Sequence, residues 1–325
     1  MEEKKTREKQ LVQHRFDWKS PLVSVSIAML VLIVAFTIIN PLFFRWSNFV
    51  TILLNASIIG IFASGMTLVV MGGGIDLAAT AEAAVATMCM GCLYTRGVSI
   101  WVGCLVGLVA STICGIVNGI LIAKVKLTPL IVTISTDMVF RALAYSFTDV
   151  KTISISDPNF YAFGRMYIFG IPISVLYMVL AFSAIAYLLK YTTFGRKIFA
   201  IGGNVTASYF NGIKIENTQI RVYTLMGLIS GFAGLVTAAQ SAVAAPITLT
   251  NRVFDFISPV ILGGVSMSGG KGNIFGTLIG CVLLAIVANG MVLAGLQSYW
   301  QTLVKGLILI FAMCIDAFRN KQSYV

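Results

Sequence analysis

Apolar runs of about twenty residues, separated by short polar breaks, fill most of the chain. Ten can be drawn, at approximately 22–39, 49–71, 76–94, 101–123, 128–147, 168–189, 222–244, 255–267, 274–294 and 299–316. Most come close to the roughly 17–25 residues that a bilayer-crossing helix requires, and none shows the alternating ~10-residue pattern of a barrel strand. The fold class predicted is an all-α polytopic membrane protein with about ten transmembrane helices. A single membrane domain over 21–317 would lie between an N-terminal tail, 1–20, and a C-terminal tail, 318–325. The eighth run is short and its surroundings are rich in Gly and Pro. It is expected to be broken or re-entrant, which is tolerated only where protein or a cavity covers the backbone. The first run is too long for a signal peptide, and no small-residue cleavage site follows it.

Composition sharpens this reading. Of 325 residues, 58% are hydrophobic and 11% charged, and the mean hydropathy of +0.92 lies outside the range of soluble domains. The net charge of +11 raises the question of nucleic acid, which the placement of the cations answers. With the N-terminus inside, sixteen Lys and Arg fall in inner segments and five in outer ones, while Arg141 and Lys305 lie within runs. That asymmetry is an orientation signal. It predicts a multi-pass membrane protein with both termini and the 190–221 loop cytoplasmic. No basic stripe interleaved with aromatics remains to argue for nucleic acid. The six cysteines all lie in apolar runs. Cys89 and Cys92 have ligand spacing but no accompanying His or second pair, so no metal site is expected. The one histidine, His14, sits in the polar tail.

Inside the runs, Gly103 and Gly107, Gly115 and Gly119, Gly227 and Gly231, and Gly276 and Gly280 each have small-xxx-small spacing, the pattern of closely approaching membrane helices. Val69-Val70-Met71-Gly72-Gly73 is echoed by Val260-Ile261-Leu262-Gly263-Gly264. Ionisable groups in or beside apolar runs are costly and by default functional. They are Asp76, Glu82 and Asp137. Each also has a structural reading: Asp76 as a helix N-cap, Asp137 as an i,i+4 partner of Arg141. Glu82 has no local partner. Thr133, Thr136, Asp137 and Arg141 share one helical face, a candidate lining for a translocation path formed by the second, third, fifth and eighth runs. Asn55, Asn118, Gln240 and Asn289 either bond between helices or line that path. The stretch 263–273, GGVSMSGGKGN, is not a phosphate-binding P-loop, because Val265 and Gly272 stand at two required positions. No GK[ST] occurs elsewhere, so the chain has no ATP site of that type.

The longest polar break, FGRKIFAIGGNVTASYFNGI at 194–213, is basic yet holds Phe199, Ile201, Tyr209, Phe210 and Ile213. On residues alone it is either a docking element for a partner or an amphipathic helix on lipid headgroups. The string resembles the cytoplasmic coupling loop of ABC-importer permeases of the ribose/simple-sugar family. Phe194, Gly195, Arg196, Ile198, Ala200, Ile201, Gly202, Gly203, Asn204, Ala207, Gly212 and Ile213 carry the match, and Ser208 stands where a second Ala is usual. Three further stretches are similar to that family. Gly72 to Leu77 matches its GGIDL segment, Thr128 to Ile134 its TPxFIVTL, and Leu262 to Thr277 its glycine-rich segment, with Gly263, Gly264, Gly269 and Gly270. Glu82 and Asp137 depart from its usual pattern, which puts the family's sugar preference in doubt here. Asp255 resembles an Asp of the same family; with Arg252 it falls on the outer side, where a solute-binding protein would dock, and a solvated or helix-capping role is the equal alternative.

The resemblance implies a type II-like importer permease of the bacterial inner membrane that moves a small polar solute, a monosaccharide above all, by alternating access. Its implied partners are a cytoplasmic ABC ATPase subunit docked on the 194–213 loop, a second permease subunit, an extracytoplasmic solute-binding protein and the lipid bilayer. No cofactor is expected on this chain, since ATP and Mg would bind the partner subunit, and no catalytic residue is expected. Two competing readings are an ion-coupled secondary transporter using Asp76, Glu82 and Asp137, and a membrane scaffold or receptor that transports nothing. Neither accounts for the coupling-loop match.

Overall fold

A computed structural model of the protein describes residues 21–321; the N-terminal tail and the last four residues lie outside them. Among the described residues there are thirteen α-helices, and each of the ten apolar runs contains one. They are α1 (Pro21–Ile39), α2 (Trp46–Met71), α3 (Ala79–Thr95), α4 (Ile100–Ala123), α5 (Pro129–Ser146), α7 (Ile173–Tyr191), α10 (Ile215–Ser241), α11 (Val253–Leu262), α12 (Ile274–Leu293) and α13 (Ser298–Lys321). Five of these, α2, α4, α7, α10 and α12, are long and apolar enough to cross a membrane. The other three helices, α6 (Pro158–Arg165), α8 (Thr193–Gly203) and α9 (Val205–Phe210), lie in the polar breaks. The chain is thus an all-α polytopic membrane protein.

Two boundaries move for local reasons. The sixth run was expected to begin at 168, but Tyr167–Ile168 (β2) pairs antiparallel with Ile171–Pro172 (β3). Phe169 and Gly170 both have positive φ, 52° and 79°, the two-residue turn geometry that matches strand twist. The seventh run was expected at 222, yet α10 starts seven residues earlier, at Ile215. Its polar first turns extend toward α9. Far along the sequence, Ile153–Ser154 (β1) pairs with Val243–Ala244 (β4), closing the bundle end opposite to α8 and α9.

α2 is the central helix. It packs against α7, α10, α11 and α12, and Phe62 stacks on Phe256 of α11 at 4.1 Å between ring centroids. Such aromatic pairs contribute about 0.5–1.5 kcal/mol beyond burial. Its polar groups are also matched across helices. Ser57 donates to Ser174 of α7 at 2.8 Å and Thr67 to Thr277 of α12 at 3.2 Å. A second packed group consists of α3, α4 and α10. Here the small-residue faces do what their spacing predicts: Gly107 lies against the Ala86 carbonyl of α3, and Gly115 against Tyr223 and Gly227 of α10. On the opposite face of α4, Leu105, Val109 and Ile113 are exposed, a stripe suited to lipid chains, while Trp46, Trp101 and Trp300 stand exposed near helix ends in the manner of an interfacial belt.

A methyl group at Gly115 has no room, because the backbone of α10 occupies its place. Gly115→Ala is therefore expected to lower stability by about 1–3 kcal/mol, read as a drop in the thermal unfolding midpoint of the purified protein in detergent. Gly306→Ala in α13, with open space around it, should leave that midpoint unchanged or raise it.

Candidate functional site

The 194–213 break folds as two short helices joined at one residue. Thr192 caps α8 by accepting from the Gly195 N–H at 3.1 Å, and Asn204 caps α9 by accepting from the Ala207 N–H at 2.8 Å. These caps satisfy donors that helix starts leave unpaired. One face of α8 is fixed, since Ile198 and Ile201 are fully buried and Gly195 is buried against the turn at the end of α7. Arg196 and Lys197 point outward. On α9, Ser208 is buried while Tyr209 and Phe210 are 68% and 80% exposed. Gly212, with φ of 76°, turns the chain, and Ile213 returns it toward α10. Apolar side chains thus stand at the tip of an element whose base is anchored in the bundle.

That base is a junction of three backbones. α2 and α11 end alike. At the first, Gly73 N–H donates to Val70 O and Gly74 N–H to Val69 O, both at 2.9 Å; at the second, Gly264 N–H donates to Ile261 O at 2.9 Å and Val265 N–H to Val260 O at 3.2 Å. Both are Schellman caps, with Gly73 and Gly264 left-handed at φ of 81° and 85°. The echo between the two glycine motifs, with Gly72 and Gly263 as the corresponding cap residues, is therefore a shared helix ending. Beyond the second cap, the loop 265–273 folds back so that the Gly270 N–H donates to Met71 O at the end of α2, at 2.9 Å. Gly202 of α8 inserts between these strands of backbone, where a β-carbon would collide with Met71 O and Gly270 N. Gly269 and Gly270, both with positive φ, touch Gly202, Gly203 and Gly73. The same loop is held from α13, whose Asp316 carboxylate accepts from the Met267 N–H at 3.2 Å.

The path candidates occupy the α3–α5 side. Asp76 was expected to cap α3, but the N-cap position belongs to Ala78, which makes no side-chain bond. Asp76 instead closes a turn two residues earlier, accepting from Ala78 N–H at 2.9 Å, because Ile75 to Ala78 must reverse the chain before the helix begins. Its Oδ2 is buried without a partner. Glu82 is fully buried and its Oε1 accepts from the Asn118 amide of α4 at 3.2 Å, with Ser230 of α10 beside it. Its Oε2 and the Asn118 Oδ1 find no protein partner. Thr133 and Thr136 are buried and donate back to Pro129 O and Val132 O of their own helix at 2.9 and 3.0 Å. Asp137 and Arg141 form the expected i,i+4 pair at 2.9 Å. Arg141 reaches further than sequence indicates, donating to Thr80 of α3 at 2.7 Å and to Thr250, in the loop before α11, at 3.1 Å. It thereby ties three segments together.

One charged residue inside an apolar run received no role from the sequence. Lys305 of α13 pairs with Asp255 of α11 at 2.9 Å, and Asp255 also accepts from Arg252 at 3.1 Å. The signal that could have found this was Lys305 itself, a cation in a run where no acid lies one turn away. Among the described residues no group of His, Cys, Asp and Glu is arranged to hold a metal ion.

Comparison with known proteins identifies relatives over most of the chain. The family model described as "Branched-chain amino acid transport system / permease component" matches residues 48–313. The chain is similar to the ribose import permease protein RbsC of Bacillus subtilis, 36% identical over 323 residues, covering 98% of this chain and all of the relative. It is similar to RbsC of Escherichia coli K12, 34% identical over 91% of this chain and 93% of the relative. A third relative is the L-arabinose ABC transporter permease protein AraH of Azospirillum brasilense, 31% identical over 92% of this chain and 88% of that protein. No solved structure matches.

The Arg141 knot generates a stability prediction. Arg141→Met strands the Asp137 carboxylate and is expected to cost up to about 3 kcal/mol, measured as a lowered unfolding midpoint. Asp137→Asn combined with Arg141→Met should recover part of that loss, because no uncompensated charge remains.

Proposed function

Since the chain belongs to the family of transport-system permease components, we propose that it is the membrane subunit of a binding-protein-dependent ABC importer for a small polar solute, a monosaccharide first. The similarity to ribose and L-arabinose permeases over nearly the whole chain supports the solute class. The observation that carries the reading is the α8–α9 element. It displays Tyr209 and Phe210 to solvent on a base wedged by glycines against the end of α2 and the loop after α11. The element is a docking knob for a cytoplasmic ATPase subunit, with Phe194, Gly195 and Arg196 setting its base and Asn204, Ala207, Ser208, Gly212 and Ile213 its fold.

The Lys and Arg excess orients the knob and both termini to the cytoplasm. Two permease subunits enclose the path, and an extracytoplasmic binding protein delivers solute at the far end. ATP and Mg act on the ATPase subunit. When the ATPase pair closes, the knob is displaced. The backbone junction passes that displacement to α2 and to the 265–273 loop, and the two permeases rock between outward- and inward-facing arrangements. The chain's own part in this is mechanical: it binds, aligns and moves.

The experiment is uptake in proteoliposomes. The permease with its ATPase and binding protein should accumulate a pentose or hexose only when ATP is present, whereas the permease alone should not. Phe210→Asp should lower ATP-driven uptake at least tenfold at equal membrane abundance, as expected for a buried anchor of an interface. Full ATP-driven uptake by Phe210→Asp, or concentrative uptake by the permease alone on an ion gradient, would refute the assignment.

A further inference from the structure

At the bundle end opposite the knob, a pocket of about 310 Å³ opens between α2, α11, α12 and α13. Its size is at the lower limit of pockets that hold small molecules, about 300–1,000 Å³. Its lining combines carboxamides from three helices, Asn55 of α2, Asn289 of α12 and Gln301 of α13, with the ionic group Arg252, Asp255 and Lys305. Asn289 is 7% exposed, and its Oδ1 is buried with no protein partner. A polar amide carried at that depth in an otherwise apolar helix is costly unless something meets it. Nothing in the folding of α12 requires it: the helix approaches α11 through Gly276 and Gly280 instead.

We infer that this pocket binds one small polyhydroxylated solute in each chain, a first station within the membrane for the molecule that is transported. The inference rests on the importer reading and names the residues that would recognise its cargo. A monosaccharide presents a ring of hydroxyls, each both donor and acceptor. Three carboxamides offer the same dual character from three directions. The Asp255 carboxylate, held by Lys305 at 2.9 Å and by Arg252 at 3.1 Å, is an acceptor fixed in place for neighbouring hydroxyls. The ionic group is already internally paired, which disfavours a zwitterionic amino acid: its carboxylate and ammonium would have to break existing pairs. Ile59, Leu284 and Val292 supply the apolar wall against which the C–H face of a sugar packs.

The test is substrate protection of an introduced thiol. Thr51→Cys at the rim of the pocket, in the full chain lacking its native cysteines and held in nanodiscs, is labelled with a membrane-impermeant maleimide. Tyr299→Cys, exposed and outside the pocket, serves as the reference. D-ribose, L-arabinose and D-glucose are the probes, with L-leucine as the competing class. At least one sugar should slow labelling of Thr51→Cys several-fold and leave Tyr299→Cys unaffected. Asn289→Ala should raise the half-protective concentration about tenfold, the effect of losing one or two hydrogen bonds. Ala288→Cys, a half-buried position of the pocket lining that carries no polar contact, provides a second reporter in case Thr51→Cys does not fold. Unchanged labelling in every sugar, equal slowing at Tyr299→Cys, protection by L-leucine alone, or failure of both pocket thiols to label would overturn the inference. ATP-driven uptake of the same sugars, measured alongside in the complete transporter, separates the two readings. Uptake without protection refutes the pocket alone, and absence of any sugar uptake refutes the importer's solute class.

Discussion

Three stretches of backbone, at Met71 to Gly74, Gly202 to Gly203 and Gly269 to Gly270, approach so closely that side chains are excluded between them. Most of the architecture depends on this contact. Membrane helices lack the hydrophobic drive that packs soluble ones, so van der Waals contact and hydrogen bonds between closely approaching backbones must supply the specificity. Here one long-range backbone hydrogen bond, Gly270 N–H to Met71 O at 2.9 Å, and a set of glycines do so at the point where the α8–α9 element meets the bundle. A contact between backbones has little slack. Long side chains could absorb a displacement by changing rotamer, whereas main chain against main chain transmits it.

The junction also explains the chain's unusual eighth run. α11 spans ten residues and contains Pro259, too short to cross a bilayer at about 1.5 Å per residue. Ending it in the same Schellman cap as α2 delivers the loop 265–273 to the junction. Burial among α2, α12 and α13 covers the backbone that an interrupted helix leaves open. Asp316 then closes the far side of the loop from α13. α13 carries Lys305 one way, to Asp255 at the base of α11, and Asp316 the other, to the loop beyond its end. The short helix is thus clamped at both ends by one long neighbour, and α2, α11 and α13 together run from the junction to the polar pocket.

What the sequence reveals divides by range. Helices announced themselves by length and hydropathy, and the i,i+4 pair of Asp137 and Arg141 by spacing. The small-residue faces of α4, α10 and α12 appeared as glycines four apart, although the spacing did not name their partners. The break in the eighth run was legible in Pro259 and Gly263-Gly264. By contrast, Asp255 with Lys305, Ile153 with Ala244 and Gly202 with Gly270 are separated by 50 residues or more, and no local pattern encodes such pairings. The start of α7 was misplaced because Tyr167 to Pro172 is as apolar as a helix, and only the positive φ at Phe169 and Gly170 makes it a hairpin. The motifs around the junction could be recognised one at a time. That they meet at one point is a property of the fold.

The central claim is that α9, the end of α2 and the glycine loop move as one body. It can be measured by spin-label distance pairs within one chain of the assembled transporter. One label sits at Val205 of α9 and the second either at Lys271 of the loop or at Lys124, at the end of α4, all three being exposed positions. Between the nucleotide-free and ATP-bound states, the Val205–Lys271 distance should hold constant while the Val205–Lys124 distance changes. A Val205–Lys271 distance that shifts as much as the other would show that the knob slides over the glycines, and the account of how work enters this protein would be wrong.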